Sequence, residues 1–241
     1  MKTVTYTFIC AVIVATLGSL SSCSRAFGIH GEGAPVVEQR SPGVFQKIAL
    51  AIDADVILHT DSVYRIEITG QRNILDVLTT QVSNNELEID FSDCVSEHSA
   101  ITIHVYAPVY VRVSLNGSGS ISNTDSITAS SVDLWVSGSG SISLQRMRSS
   151  TVNTYISGSG SISLAGQTGA FNSSVSGSGK TKAFDLAAQN ARIQVSGSGD
   201  SEVNALQTLA VDLSGSGDVY YRGTPALNVS ISGSGRVIHV N

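Results

Sequence analysis

The chain has 241 residues, a formal charge of −5, 14% charged and 6% aromatic residues, and 23 glycines. It has no Lys/Arg run and no basic patch interleaved with aromatics, which argues against nucleic acid as a partner. Abundant Gly and Ser suit disorder too, but here the aliphatic residues fall at fixed offsets inside the Gly/Ser pattern, which a flexible linker has no reason to show.

The first 22 residues read as an export leader: Lys2 gives a positive start, Val4 to Leu17 an apolar run too short for a comfortable membrane span, and small residues follow. Leu20-Ser21-Ser22-Cys23 resembles a bacterial lipobox, in which Cys23 becomes the lipidated first residue of the mature protein. An ordinary secretory signal that contains a Cys is the alternative. Residues 23–35, small and without periodicity, form a tether. The expected protein is therefore exported and anchored through its N-terminal lipid to a bacterial outer membrane, facing either the periplasm or the cell surface. With Cys10 in the leader and Cys23 lipidated, Cys94 stands alone and is expected to be an unpaired thiol, kept quiet by Asp93 and Glu97 beside it.

Residues 36–115 form an N-terminal strand region. Val44 to Leu50, Asp55 to His59, Val63 to Ile68, Leu87 to Phe91, Ile101 to Tyr106 and Val109 to Leu115 mostly alternate apolar with polar. Turn formers such as Thr69-Gly70 and Ser83-Asn84-Asn85 separate them. Asn73 to Gln81 carries a hint of helix, weakened by its β-branched residues.

Residues 116–241 repeat. The first glycines of the Gly-Ser-Gly units are Gly117, Gly138, Gly158, Gly177, Gly197, Gly215 and Gly233, at intervals of 18 to 21 residues. Such a period marks a solenoid, whose repeats bury their apolar faces only against one another. Two residues before each unit stand Leu115, Val136, Ile156, Val175, Val195, Leu213 and Ile231, aliphatic in every copy. That parity points inward and carries both glycines of each unit with it, while the serines between them, such as Ser139 and Ser159, point out. The fold predicted is all-β, a parallel β-helix or β-solenoid with coils of about 18–21 residues, on which the N-terminal strands stack or which they continue. Seven coils at the spacing of neighbouring strands make a rod of roughly 34 Å. In this register Lys180 meets Asp200, Lys182 meets Glu202, and Asp218 meets Arg236.

The glycine units do not carry the chemistry that glycines often serve. They lack the third Gly of a dinucleotide fingerprint, the Lys-Ser/Thr of a P-loop and the Gly-x-Ser-x-Gly of a nucleophile elbow. Asp200 and Asp218 follow two of them, but calcium-binding β-roll repeats are nine residues long with Asp in every copy, so two solvated acids are the better reading. His30, His59, His98, His104 and His239 show no metal-ligand spacing. No catalytic set, metal site or cofactor is expected.

Two surface features stand out. Trp135 and Tyr155 occupy equivalent outward positions on successive coils, so their rings should stack about one strand spacing apart. The pair is either a contact for a sugar or a protein, or is covered by the N-terminal strands or a partner chain. The final coil, with Leu227, Val229, Ile231 and Val237, presents a strand edge suited to self-association or partner docking.

The lipobox, the tether, the strands from Phe45 to Leu115 and the repeated Val-Ser-Gly-Ser-Gly-Ser-Ile units resemble the family described as putative auto-transporter adhesin, head GIN domain, of Bacteroidetes-type bacteria. The resemblance spans about Val44 to Asn241 and implies a parallel β-solenoid without a catalytic set and a role in adhesion. Three functions follow as expectations: a non-enzymatic envelope module that binds a glycan or a protein, an envelope structural component that self-associates into homo-oligomers through its solenoid end, and a polysaccharide-processing enzyme on a β-helix scaffold. The last would need acids and bases clustered along a groove, where the flanking outward positions are mainly Ser.

Overall fold

Alternation of apolar and polar residues becomes strand through most of residues 28–241, the part of the chain that the computed structural model describes. The strands of the first half are β1 (Ile29–His30), β2 (Pro35–Arg40), β3 (Lys47–Leu50), β4 (Asp55–Thr60) and β5 (Arg65–Gln71), then, after one helical turn, α1 (Arg72–Leu75), β6 (Leu78–Ser83), β7 (Glu86–Phe91), β8 (Val95–Glu97) and β9 (Thr102–Ala107). The second half holds β10 (Arg112–Gly117), β11 (Ser120–Asn123), β12 (Ile127–Gly138), β13 (Ser141–Gly158), β14 (Ser161–Gly177), β15 (Lys180–Gly197), β16 (Asp200–Gly215), β17 (Val219–Arg222), β18 (Ala226–Gly233) and β19 (Val237–His239).

The molecule is a β-solenoid of stacked parallel coils with about six turns, 71% strand and 2% helix. Gly117, Gly138, Gly158, Gly177, Gly197, Gly215 and Gly233 stack in one column, each in register with the next. Seven corners enclose six complete turns, one fewer than the count of glycine units would give. Of each unit the second glycine is buried and the serine exposed.

The corner explains the glycines in two ways. From Gly138 onward the first glycine of each unit has φ between 114° and 136°, a region closed to residues with a Cβ. A Cβ on Gly158 would also lie 2.7 Å from the Gly138 carbonyl oxygen of the coil before it. The constraint thus acts along the stacking axis as well as toward the interior. Those same carbonyls accept from the next coil: Ser159 and Gly160 donate their N–H groups to the Gly138 oxygen at 3.0 and 2.9 Å, so the ladder continues through the bend.

Inside, Leu115, Val136, Ile156, Val175, Val195 and Leu213 form a continuous buried column, and Ile121, Ile142 and Ile162 another. The second column continues through Thr181 and Ser201 before Val219 restores an aliphatic. The Ser173 and Thr181 hydroxyls bond each other at 3.0 Å, whereas Thr154 Oγ1 and Ser201 Oγ are buried without partners. Outside, Lys180 and Asp200 lie 3.2 Å apart and Arg236 and Asp218 2.6 Å apart, as the repeat register predicts.

The N-terminal strands continue the solenoid, but not in chain order. β3 lies between β7 and β10, and β4 between β9 and β11, all in parallel. The coil formed by residues 47–60 is thus inserted between strands that follow it in sequence. Antiparallel strands finish this end: β5 on β9, β2 on β5 and β6 on β7. The Arg40 guanidinium ties the finish together, donating to the Leu78 carbonyl at 2.6 Å, the Leu75 carbonyl at 2.9 Å and Glu38 at 2.8 Å. That last bond holds the Glu38 carboxyl below its ordinary pKa.

The helix hinted at over Asn73 to Gln81 shrinks to α1. Val77, Thr79, Thr80 and Val82 favour the extended chain, and Asn84 and Asn85, both at positive φ, close a two-residue hairpin between β6 and β7. Cys94 is disulfide-bonded, which corrects the expectation of an unpaired thiol.

Candidate functional site

Because neighbouring coils are in register, outward residues stack into rows along the solenoid. In the strand before each glycine corner, one row runs Ser114, Trp135, Tyr155, Ser174, Gln194 and Asp212. The row beside it runs Arg112, Asp133, Asn153, Asn172, Arg192 and Ala210.

Trp135 and Tyr155 meet as the spacing predicts, with ring centroids 3.9 Å apart and planes inclined by 20°. Both are open to solvent, at 42% and 36% of their surface, so the strands of the first half do not cover them. The neighbouring row is cross-linked. Asn153 Nδ2 donates to Asp133 Oδ1 at 2.8 Å, and Asn172 Nδ2 donates to Asn153 Oδ1 at 2.9 Å. Asp133 can only accept, so it fixes the direction of both amides and leaves the Asn172 carbonyl oxygen free to accept. Arg112 reaches Asp133 at 3.6 Å.

Beyond Tyr155 the aromatic row drops to Ser174, and a recess of ≈ 180 Å³ opens there, lined by Tyr155, Asn172, Ser174, Arg192 and Gln194 among others. An aromatic face beside oriented amides and a guanidinium group can hold a ring with polar substituents: the apolar face against the tyrosine, the hydroxyl or carboxylate groups against the row beside it.

A second cluster lies near the other end, where β4 runs beside β9. His59 Nε2 and His104 Nδ1 are 2.9 Å apart, and Thr124 Oγ1 is 2.9 Å from His59 Nδ1. Tyr106 stacks on His59 at 4.5 Å, and the Arg65 guanidinium lies 4.0 Å above Tyr106. Burial, then the neighbouring His104, lowers the His59 pKa. Sequence spacing left these histidines scattered; the inserted coil brings them together. Among the described residues no three His, Cys, Asp or Glu side chains gather as a metal site.

On the last coil Leu227, Val229 and Ile231 share β18 and are 47%, 40% and 46% exposed, whereas Val237 on β19 packs against the core. β18 pairs with β16, and the exposed side chains of Val229 and Ile231 are those that would be interior in any earlier coil. Cys23 lies outside the described residues.

A family model described as putative auto-transporter adhesin, head GIN domain, matches residues 44–225. The chain belongs to this family. Solved structures share the head GIN domain fold. A putative adhesin from Bacteroides fragilis NCTC 9343 superposes with a TM-score of 0.82 at 23% identity, covering 88% of this chain and 100% of that one. A putative lipid binding protein from Parabacteroides distasonis ATCC 8503 gives 0.74 at 22% identity over 88% and 99%. A putative adhesin from Parabacteroides merdae ATCC 43184 gives 0.72 at 18% over 89% and 99%. No curated protein matches the chain. At these identities the structures establish the head GIN domain architecture, and the face built on it must be read from this chain's own residues.

Within that face, sequence reasoning found the two rings and missed their flank. Asp133, Asn153 and Asn172 occupy one parity position on three successive coils, which the glycine alignment already exposes. The free space over Ser174 had no such signal, because a Ser on this surface is unremarkable until its neighbours are known to be large.

Proposed function

We propose that this head GIN domain is a non-enzymatic, exported envelope module that binds glycan through the Trp135–Tyr155 face. One observation carries the reading: two solvent-exposed rings stacked at 3.9 Å beside the amides of Asn153 and Asn172, which hydrogen bonds from Asp133 onward hold in fixed orientation. Rings left open to water at this size cost hydration and need a reason, and a pyranose offers an apolar face to one and hydroxyls to the other row. Membership of an adhesin family is consistent with binding rather than turnover.

Trp135 is the only tryptophan in the chain, so its fluorescence reports directly on the face. Titration with a panel of neutral and acidic oligosaccharides should shift it saturably, and Trp135→Ala or Tyr155→Ala should weaken binding, measured by calorimetry, at least tenfold, or about 1.4 kcal/mol. A panel with no binder, or variants that bind as well as the parent, would reject this reading.

A second reading has its own support. The exposed Leu227, Val229 and Ile231 on β18 favour assembly of copies through that edge, and the two readings are compatible because the faces are separate.

A further inference from the structure

The stack of rings stops one position early. Along the outward row a large planar group at Trp135 is followed by another at Tyr155, then by Ser174, then by Gln194. One face of Tyr155 rests on Trp135, and the other looks along the solenoid axis over Ser174 into the ≈ 180 Å³ recess. Tyr155 and Gln194 are two coils apart, so the gap between them is about 9.6 Å at the spacing of neighbouring strands. One ring in van der Waals contact with Tyr155 fills such a gap, whereas a second would not fit.

The wall of the recess carries an unmatched charge. In the row Glu86, Lys47, Arg112, Asp133, Asn153, Asn172 and Arg192, Lys47 lies opposite Glu86 and Arg112 opposite Asp133. Arg192 is in register with Asn172 on one side and Ala210 on the other, neither charged. The nearest carboxylate by register is Asp212, one coil on and in the adjacent row, and it closes no ion pair with Arg192. A guanidinium offers a planar fork of donors suited to a carboxylate. Next to it stands Asn172, its amide nitrogen committed to Asn153 and its oxygen free to accept from a hydroxyl.

From this geometry we infer that the recess binds a single carboxylated pyranose unit, a uronic-acid residue or a sugar of like chemistry, stacked on the free face of Tyr155. Its carboxylate pairs with Arg192, and one ring hydroxyl donates to Asn172 Oδ1. The inference rests on the glycan reading above and narrows it from sugars in general to acidic ones.

The test uses the full chain and a set of oligouronides of α and β linkage, each alongside its methyl ester, which keeps the ring and removes the charge. Trp135 fluorescence and calorimetry give the affinities. The acid should bind at least tenfold more tightly than its ester, with a preference that shrinks in 0.5 M salt, as expected for a solvent-accessible ion pair. Arg192→Gln should erase the preference, so that acid and ester bind with the same affinity. Ser174→Tyr, which extends the aromatic row into the gap, should abolish binding of both forms while leaving the thermal unfolding temperature within a degree or two. If acid and ester bind alike and Arg192→Gln changes nothing, the assignment of an acidic sugar fails and the aromatic face stands. Binding that survives Ser174→Tyr places the sugar elsewhere and overturns the slot. If no sugar of either kind binds, both readings fall together. Displacement of the oligouronide by a poly-glutamate peptide at equal concentration would move the site to protein ligands.

Discussion

Single side chains in this fold are judged by the coil above and the coil below. Thr154 shows the consequence. It stands in an inward column between Leu134 and Ser173, fully buried, and its hydroxyl has no partner because Ser173 bonds Thr181 instead. A buried hydroxyl without a hydrogen bond forfeits its hydration. Thr154→Val keeps the branched shape and removes that loss. It should stabilise the protein by about 1 kcal/mol, raising the unfolding temperature by roughly 2–4 °C in calorimetry. An unchanged or lower temperature would mean that the hydroxyl has found a partner, such as a buried water. At this scale much was legible from sequence. Period two fixes which way a residue points and the glycine alignment fixes its neighbour, which is why Trp135 over Tyr155 and Lys180 beside Asp200 could be read directly. The Arg40 clamp and the His59–His104 contact could not, since both join strands that carry no repeat mark.

The coil is the element, and its corner is the part least able to vary. Gly158 combines a φ of 121° with a stacked carbonyl 2.7 Å from where a Cβ would sit. Gly158→Ala should therefore cost about 1–3 kcal/mol for the backbone alone, and more for the carbonyl it displaces. Gly43 is a fair control, because a Cβ there would meet Val82 at an ordinary 3.8 Å. Gly43→Ala should be neutral or slightly stabilising in the same denaturant titration. Equal losses for the two would show that the corner tolerates a side chain. The drift in repeat length from 21 to 18 residues is absorbed away from this corner. Register shifts fall between Leu144 and Met147 and again between Ala183 and Ala187, on the far side of the coil. Sequence marks the rigid corner by its glycines, but leaves these bends unmarked: Arg146, at φ 56°, is not a residue that announces one.

At the scale of the whole molecule the two ends differ. The N-terminal end is finished by antiparallel strands, whereas β18 leaves Leu227, Val229 and Ile231 in solvent. Association of copies through β18 should appear as a concentration-dependent rise in mass by sedimentation velocity, and Leu227→Lys with Ile231→Lys should return the protein to a monomer. A parent protein that stays monomeric at high concentration would refute it. The insertion of β3 and β4 between later strands bears on how the molecule carries load. A pull applied ahead of β1 first frees that strand from β8 and then peels β2 from the single neighbour it has, β5. It then meets a coil hydrogen-bonded along both sides, to β7 and β9 below and to β10 and β11 above. Freeing that coil means shearing two ladders at once instead of unzipping one. A tether on that side would therefore be fastened to an interior rung, with Trp135 two coils and Tyr155 three coils beyond the rung that bears the strain.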